Sequence, residues 1–313
     1  RTGMPFAQAM CHLTTARALF ERGEHETAAK HLASTRVLGR EMGSRYIEYL
    51  CLLAAAKAAL DRRDEGPGMQ ALREAIVLGR TQGFWTHMWL PTADLVRLCV
   101  IALEHGIEVD YVRELIRRRE LLAEGVAPGV EAWPWPVRIL TLGRFEVLIH
   151  DRRLTFSGKA QKKPLALLQA LIALGGRGVR EELLMDALWP DAEGDAAARA
   201  LTTTVHRLRR LLGPEAISRQ GGHLGVDPRR CWVDVWALEH WLTRADAADQ
   251  TDERARLLER AAALDRGPFL PGEMREGSAR LRERIRGRLE RLSDTLRVAA
   301  APQGGSIRSL PPR

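Results

Sequence analysis

Between Ala196 and Gly213 the chain reads AAARALTTTVHRLRRLLG. Leu201, Val205, Leu208 and Leu212 recur at i, i+4, i+7 and i+11, the spacing of a single buried stripe on a helix. Arg199, Thr203, His206, Arg207 and Arg210 fall on the opposite side. Guanidinium, imidazole and hydroxyl groups held on one rigid face supply the donors and acceptors that meet base edges and phosphates in duplex DNA. The stretch 196–212 therefore reads as a helix entering the major groove, with Arg199 and Thr202 at its entering end. Arg209 lies nearer the buried stripe, from where its long stem can carry the charge to a phosphate. The plainer alternative is an ordinary solvated face, and the neighbouring sequence decides between the two.

Charge is unevenly distributed. The chain of 313 residues carries 48 Lys/Arg and 40 Asp/Glu, a formal net charge of +8. Residues 1–137 hold 17 basic against 17 acidic side chains, 138–230 hold 16 against 10, and 231–313 hold 15 against 13. The segments thus carry 0, +6 and +2, and the excess sits with the basic helix, as expected of a nucleic-acid-binding domain joined to neutral partners. Lys159, Lys162 and Lys163 suit phosphate contact, with a solvated charge run as the alternative.

Other chemistry has little support. There is no phosphate-binding GxxxxGK[ST], no nucleophile elbow and no paired carboxylates in a recognisable setting, so neither an enzyme nor a cofactor is predicted. His25-Glu26 with His31 fails as a zinc helix, because that chemistry needs its histidines at i and i+4. His87 and His105 read as lone structural histidines. Cys11, Cys51, Cys99 and Cys231 lack metal-ligand spacing and are expected to be small core residues. No apolar run approaches a membrane span and no secretory signal opens the sequence, so a cytoplasmic protein without membrane contact is expected. The first residue is not Met, which suggests a fragment of something longer.

The elements that must position the basic helix follow in chain order. Residues 4–124 read as helices broken at Gly23, Gly43, Gly66-Pro67-Gly68, Gly83 and Gly106. Arg36-Val37-Leu38-Gly39-Arg40 recurs as Ile76-Val77-Leu78-Gly79-Arg80, and Ala18-Leu19-Phe20 with Gly23 corresponds to Ala59-Leu60 with Asp64. An offset of about 40 residues is close to the period of stacked helix pairs, which predicts a tetratricopeptide-like array over 1–126. Such an array offers a surface for an effector or protein partner, or only spaces domains. Residues 127–137 read as a Pro-rich linker anchored by Trp133 and Trp135.

From Ile139 the pattern alternates: strands at 139–142 and 145–149, a turn at Asp151-Arg152, and a returning strand at 154–156. Three helices follow. The first begins near Pro164, with Leu165, Leu168, Leu171 and Ile172 as core positions. The second carries Val179, Leu183, Leu184, Ala187, Leu188 and Trp189, and the loop Asp191–Asp195 leads into the third, the basic helix. Residues 216–226 around Gly221-Gly222 form a hairpin, a wing bearing Arg219 and His223 toward phosphates or the minor groove. Strands, three helices and a wing over 138–230 make a winged helix-turn-helix.

The stretches LGRFEV, KKPLALLQALIALGG, REELLMDALWPD, LTTTVHRLRRLLG and SRQGGHLGVD resemble the OmpR-type DNA-binding domain of the Streptomyces antibiotic regulatory proteins. CWVDVWALEHWL, LLERAAALDRGPFLPGE and the long amphipathic stretch after them resemble the bacterial transcriptional activator domain of that family. With the upstream array, the arrangement is similar to the C-terminal part of large MalT-like regulators, whose N-terminal portion is a nucleotide-binding ATPase. The resemblance covers 138–297 closely and 4–124 loosely. It implies an activator that occupies directly repeated half-sites, self-associates on them and recruits RNA polymerase through the loop before the basic helix, here acidic at Asp191, Glu193 and Asp195.

Two departures bear on that expectation. The wing has His223-Leu224-Gly225 where the family places an aromatic and a basic residue, which weakens its phosphate contact. The activator domain, 231–300, has too few helices for the full three-repeat form, with Leu281, Ile285, Leu289, Leu292 and Leu296 as its last stripe and a disordered tail over 301–313. Trp232, Trp236 and Trp241 are expected to join winged helix and activator domain. The fold class expected is mainly α with a small β component: helical array, winged helix-turn-helix, partial helical activator domain. The competing function is an interaction scaffold acting through the repeats without specific DNA binding.

Overall fold

The computed structural model describes residues 4–86, 89–155, 162–273 and 276–300, without the side chains of 276, 277, 289 and 292–300. His87, Lys159, Phe156 and the tail 301–313 lie outside the described residues. The chain forms two compact units, 1–126 with 130–134, and 127–129 with 135–313. The linker expected over 127–137 is thus shared between them. Among the described residues the fold is mainly helical with small sheets.

The first unit consists of α1 (Pro5–Glu21), α2 (His25–Glu41), α3 (Arg45–Asp61), α4 (Glu65–Gln82), α5 (Thr92–Glu104) and α6 (Val109–Arg118). Short connections fold consecutive helices into hairpins. The repeat is written in the backbone as well as the sequence. Glu24 N donates to Leu19 O at 2.9 Å after α1, and Asp64 N donates to Ala59 O at 3.0 Å after α3. Gly23 (φ 79°) therefore corresponds to Arg63 (φ 60°) and not to Asp64. Gly66-Pro67-Gly68 is no break but part of the first turn of α4, where Pro lacks no needed donor. Gly39 and Gly79 hold equivalent places of close approach: a Cβ would lie 2.7 Å from Ile47 Cγ2 in the first case and 2.5 Å from Tyr111 Oη in the second. Ser44 caps α3 by accepting from Ile47 N at 3.3 Å.

In the second unit β1 (Val137–Leu140), β2 (Glu146–Ile149) and β3 (Arg152–Arg153) precede α7 (Lys162–Ala173), β4 (Val179–Arg180), α8 (Glu181–Leu188) and α9 (Gly194–Leu212). Then come β5 (Ile217–Gln220), β6 (His223–Val226), β7 (Cys231–Val233), α10 (Asp234–Ala247), α11 (Thr251–Leu264) and α12 (Glu276–Ala300). The sheets run β3-β2-β1-β7 and β4-β6-β5. The return strand starts two residues earlier than its apolar pattern suggests, because His150 and Asp151 take positive φ (48° and 63°) and form the turn. Ile149 then pairs with Arg152, and Leu154 N still donates to Val147 O at 2.8 Å.

Cys231–Val233 is a strand parallel to β1, where the sequence shows only the approach to a helix. Asp234 explains why it is fixed there. Its buried carboxylate accepts from Thr141 N (2.8 Å), Thr141 Oγ1 (2.6 Å), Leu142 N (2.9 Å) and Val235 N (2.8 Å). The start of α10 is thereby tied to the end of β1; burial pushes this carboxyl above its ordinary range, against the pull of the four donors. Cys51, Cys99 and Cys231 are buried as small core residues, but Cys11 is exposed. No helix is long and apolar enough to cross a membrane among the described residues.

Candidate nucleic-acid interface

The geometry of α9 follows from its stripe. Ala197, Leu201, Thr204, Val205, Leu208 and Leu212 are buried, and α9 packs by them against α7 and α8. The helix begins at Gly194, two residues before the expected start, so the supposed loop 191–195 ends inside its first turn. Arg199, Thr202, Thr203, His206, Arg207 and Arg210 are all exposed. At 3.6 residues per turn these six share an arc of roughly 140°, facing away from the buried stripe. Arg199, His206, Arg207 and Arg210 form no ion pair among the described residues, so their hydrogen-bonding capacity faces solvent. The Thr203 hydroxyl donates to Arg199 O at 3.0 Å, which leaves it an acceptor toward the outside.

The Arg209 Nε and a terminal nitrogen donate to Ile217 O at 3.1 and 2.9 Å. The half-buried guanidinium therefore braces α9 to β5, and a phosphate contact by Arg209 would be made from that braced position. The side chain lies beside the buried stripe, where an unsatisfied strand carbonyl is within reach.

The wing is the β5-β6 hairpin, closed by Gly221 and Gly222 at φ 56° and 73°. A two-residue turn with both φ positive matches strand twist and needs residues without a Cβ penalty. Glu181 N donates to Gly222 O at 2.9 Å, tying the turn to the start of α8. Arg219 is not directed freely outward. It makes a two-pronged bond with Glu181, 2.7 Å on each arm, and donates to Thr202 Oγ1 at 3.2 Å. Arg219 beside Glu181 holds that carboxyl below the usual carboxylate range. His223 Nδ1 lies 2.8 Å from Gly221 O at the turn.

Lys162 is exposed at the start of α7. Lys163, also exposed, donates to Leu188 O at 3.4 Å and sits 5.5 Å from the Trp189 ring. Two contributors escape a reading of the sequence. Glu181 stands 38 residues from the arginine it clamps, and no local pattern announces the pair. Arg180, exposed on β4, pairs in register with His223 and adds a cation beside the wing. The second helix also differs: Val179 is in β4, and Leu183 is 41% exposed rather than core.

Behind this surface, Trp236 of α10 lies against Gly176 just after α7, where a Cβ would come within 2.3 Å of the ring; Gly176 is at φ 75° and has no such atom. Arg177 stacks over the same ring at 5.2 Å. Trp232 is on a strand rather than a helix, and its Nε1 donates to Pro128 O at 2.7 Å. Trp241 is buried on α10. Leu281 and Ile285 of the last stripe are buried too.

Comparison with known proteins places this geometry. Residues 158–221 match the family described as transcriptional regulatory protein, C terminal. A solved structure of Mycobacterium tuberculosis EmbR in complex with a low affinity phosphopeptide is similar over 53% of this chain and 44% of that one, with 20% sequence identity and a TM-score of 0.36. This chain thus spans less than half of that one. No curated protein matches. The match runs from just before α7 through α8 and α9 to the turn of the wing, the elements that carry the exposed basic face. Residues 158–221 thus match a winged-helix domain of the OmpR/PhoB type, found in transcriptional regulatory proteins.

Proposed function

We propose that the chain is a sequence-specific DNA-binding transcription regulator, an activator that reads the major groove with α9 and meets the backbone with its wing. The observation that carries this reading is the face of Arg199, Thr202, Thr203, His206, Arg207 and Arg210, exposed on a helix whose other side is locked into the domain. Arg207 is the candidate for a bidentate contact to guanine, and Lys162, Lys163 and His223 for phosphate contacts. Arg219 reaches DNA in this reading only from its Glu181-clamped position.

Occupation of directly repeated half-sites by self-association, and recruitment of RNA polymerase by the acidic segment at Asp191, Glu193 and Asp195, belong to the same proposal. So does the assignment of 138–230 to a winged helix, 231–300 to an activator domain and 1–126 to a surface for an effector or protein partner. The chemistry is binding rather than catalysis, in the cytoplasm, where such a domain meets DNA.

Selection of bound sequences from a random duplex pool, with affinity repeated at several salt concentrations, tests the proposal. An enriched motif together with a steep salt dependence supports it. Salt-sensitive binding without a motif removes sequence specificity, and no binding removes DNA as the partner.

A further inference from the structure

The first unit contains a cavity of about 670 Å³ that DNA reading does not use. It lies among the end of α2, the start of α3 and α4, and its volume is in the range of small-molecule sites. Three arginines, Arg36, Arg40 and Arg45, line it. Arg45 is already paired with Glu48 at 2.7 Å, and the lining Glu74 accepts from Gln70 at 3.0 Å. Arg36 and Arg40 form no ion pair among the described residues; Arg40 Nε donates only weakly to Arg36 O, at 3.4 Å.

The internal repeat supplies a comparison. Arg80 is the counterpart of Arg40 in the second helix pair, and it meets Glu108 at 2.9 Å. Arg40 has no such ion pair among the described residues and lines the cavity, where Glu48 is taken by Arg45 and Glu74 by Gln70. Arg36 and Arg40 are one helical turn apart, so they share a face of α2 at a spacing on the order of 6 Å. Two guanidinium groups on stems that far apart can converge on one phosphate or carboxylate, with planar forks matched to its oxygens. Leu52 and Gly39 add apolar surface to the lining. Buried Cys51 completes it, and its thiol is pushed up to about 11 by burial, so it is a neutral wall and not a nucleophile.

We propose that this cavity binds a small organic anion, its phosphate or carboxylate held between Arg36 and Arg40 and its body against Leu52 and Gly39. The site shares no residue with the DNA-binding face and is tested without DNA. The full chain is titrated at constant ionic strength with pyrophosphate, citrate and glucose 6-phosphate, and binding is read by calorimetry. At least one probe is expected to bind saturably, at least tenfold more weakly to the Arg36→Gln/Arg40→Gln variant and unchanged to Arg73→Gln. The preference between pyrophosphate and citrate separates a phosphate from a carboxylate ligand. Absence of saturable binding by all three probes, or equal affinity in wild type and double variant, overturns the proposal. Leu52→Trp fills the cavity and leaves the charges in place. It must also lose binding, since retained affinity would put the anion on the outer surface.

Discussion

Arg207 and Arg219 are both arginines near the candidate interface, and their surroundings assign them different work. Arg207 has no ion-pair or hydrogen-bond partner among the described residues, so Arg207→Ala is expected to reduce discrimination at one base pair by about 1 to 3 kcal/mol, with stability unchanged. Reversing the charge of Arg207 and Arg210 together is expected to abolish specific binding while circular dichroism and Tm stay at wild-type values. Retained specific affinity in that variant would remove α9 as the reading element. Arg219 instead serves the wing through Glu181, whose depressed carboxyl makes a definite pH statement. A carboxylate whose folded pKa lies below its unfolded value stabilises the fold above the unfolded value, and that contribution disappears as pH falls through the folded one. The wing pair should therefore persist from neutral pH down to the ordinary carboxylate range and break only below it. Thermal unfolding between pH 7 and 3, with Glu181→Gln as reference, checks this: the wild type must lose more stability on acidification than the variant. Equal acid limbs would mean the pair is not formed in solution.

Elements differ in how visibly the chain announces them. The helix pairs, α9 and the wing were legible because their causes are local: period 3.6, a 40-residue repeat, a Gly-Gly turn. β7 was not, because Cys231–Val233 is held as a strand by β1, some 90 residues earlier, and by the four bonds to Asp234. The early return of β3 was hidden for a related reason, since His150 and Asp151 adopt a turn that usually advertises itself with Asn or Gly. On the candidate site, the outward face of α9 was legible, but the contacts of Arg209 with the Ile217 carbonyl and of Arg219 with Glu181 were not, since they depend on how α8, α9 and β5 pack together. Glycines show how such long-range causes become measurable. Gly39→Ala gains helix propensity of about 1 kcal/mol but forces a Cβ to 2.7 Å from Ile47 Cγ2, an overpacking that costs roughly 1 to 3 kcal/mol. A net loss in chemical denaturation is expected. Gly287→Ala, inside α12, where the nearest atom to a new Cβ is Arg291 Nη1 at an ordinary 3.6 Å, should instead stabilise by about 0.5 to 1 kcal/mol. If both changes stabilise, the close approach of α2 and α3 at Gly39 is relaxed in solution.

At the scale of the whole molecule the question is which charges act on DNA. The chain as a whole carries +8, yet residues 1–137 are balanced and 138–230 hold +6. Long-range attraction by the total charge would weaken smoothly as any surface arginine is removed, because screening beyond about 8 Å at physiological salt leaves only a diffuse term. Direct phosphate contact behaves differently. Each neutralised phosphate releases condensed counterions, so deleting one contact lowers the slope of log K against log salt by about 0.9, equally for all sequences. Lys162 is exposed at the start of α7, on the matched domain, whereas Arg73 is exposed on α4 in the neutral array. Lys162→Ala is therefore expected to flatten the salt dependence by roughly one unit without altering the preferred motif, and Arg73→Ala to leave both unchanged although it removes the same formal charge. Equal, small effects from the two would mean that net charge alone draws the chain to DNA and that the surface around α7 and α9 makes no discrete phosphate contacts. A flatter slope from Lys162→Ala alone would locate the contacts on the +6 segment.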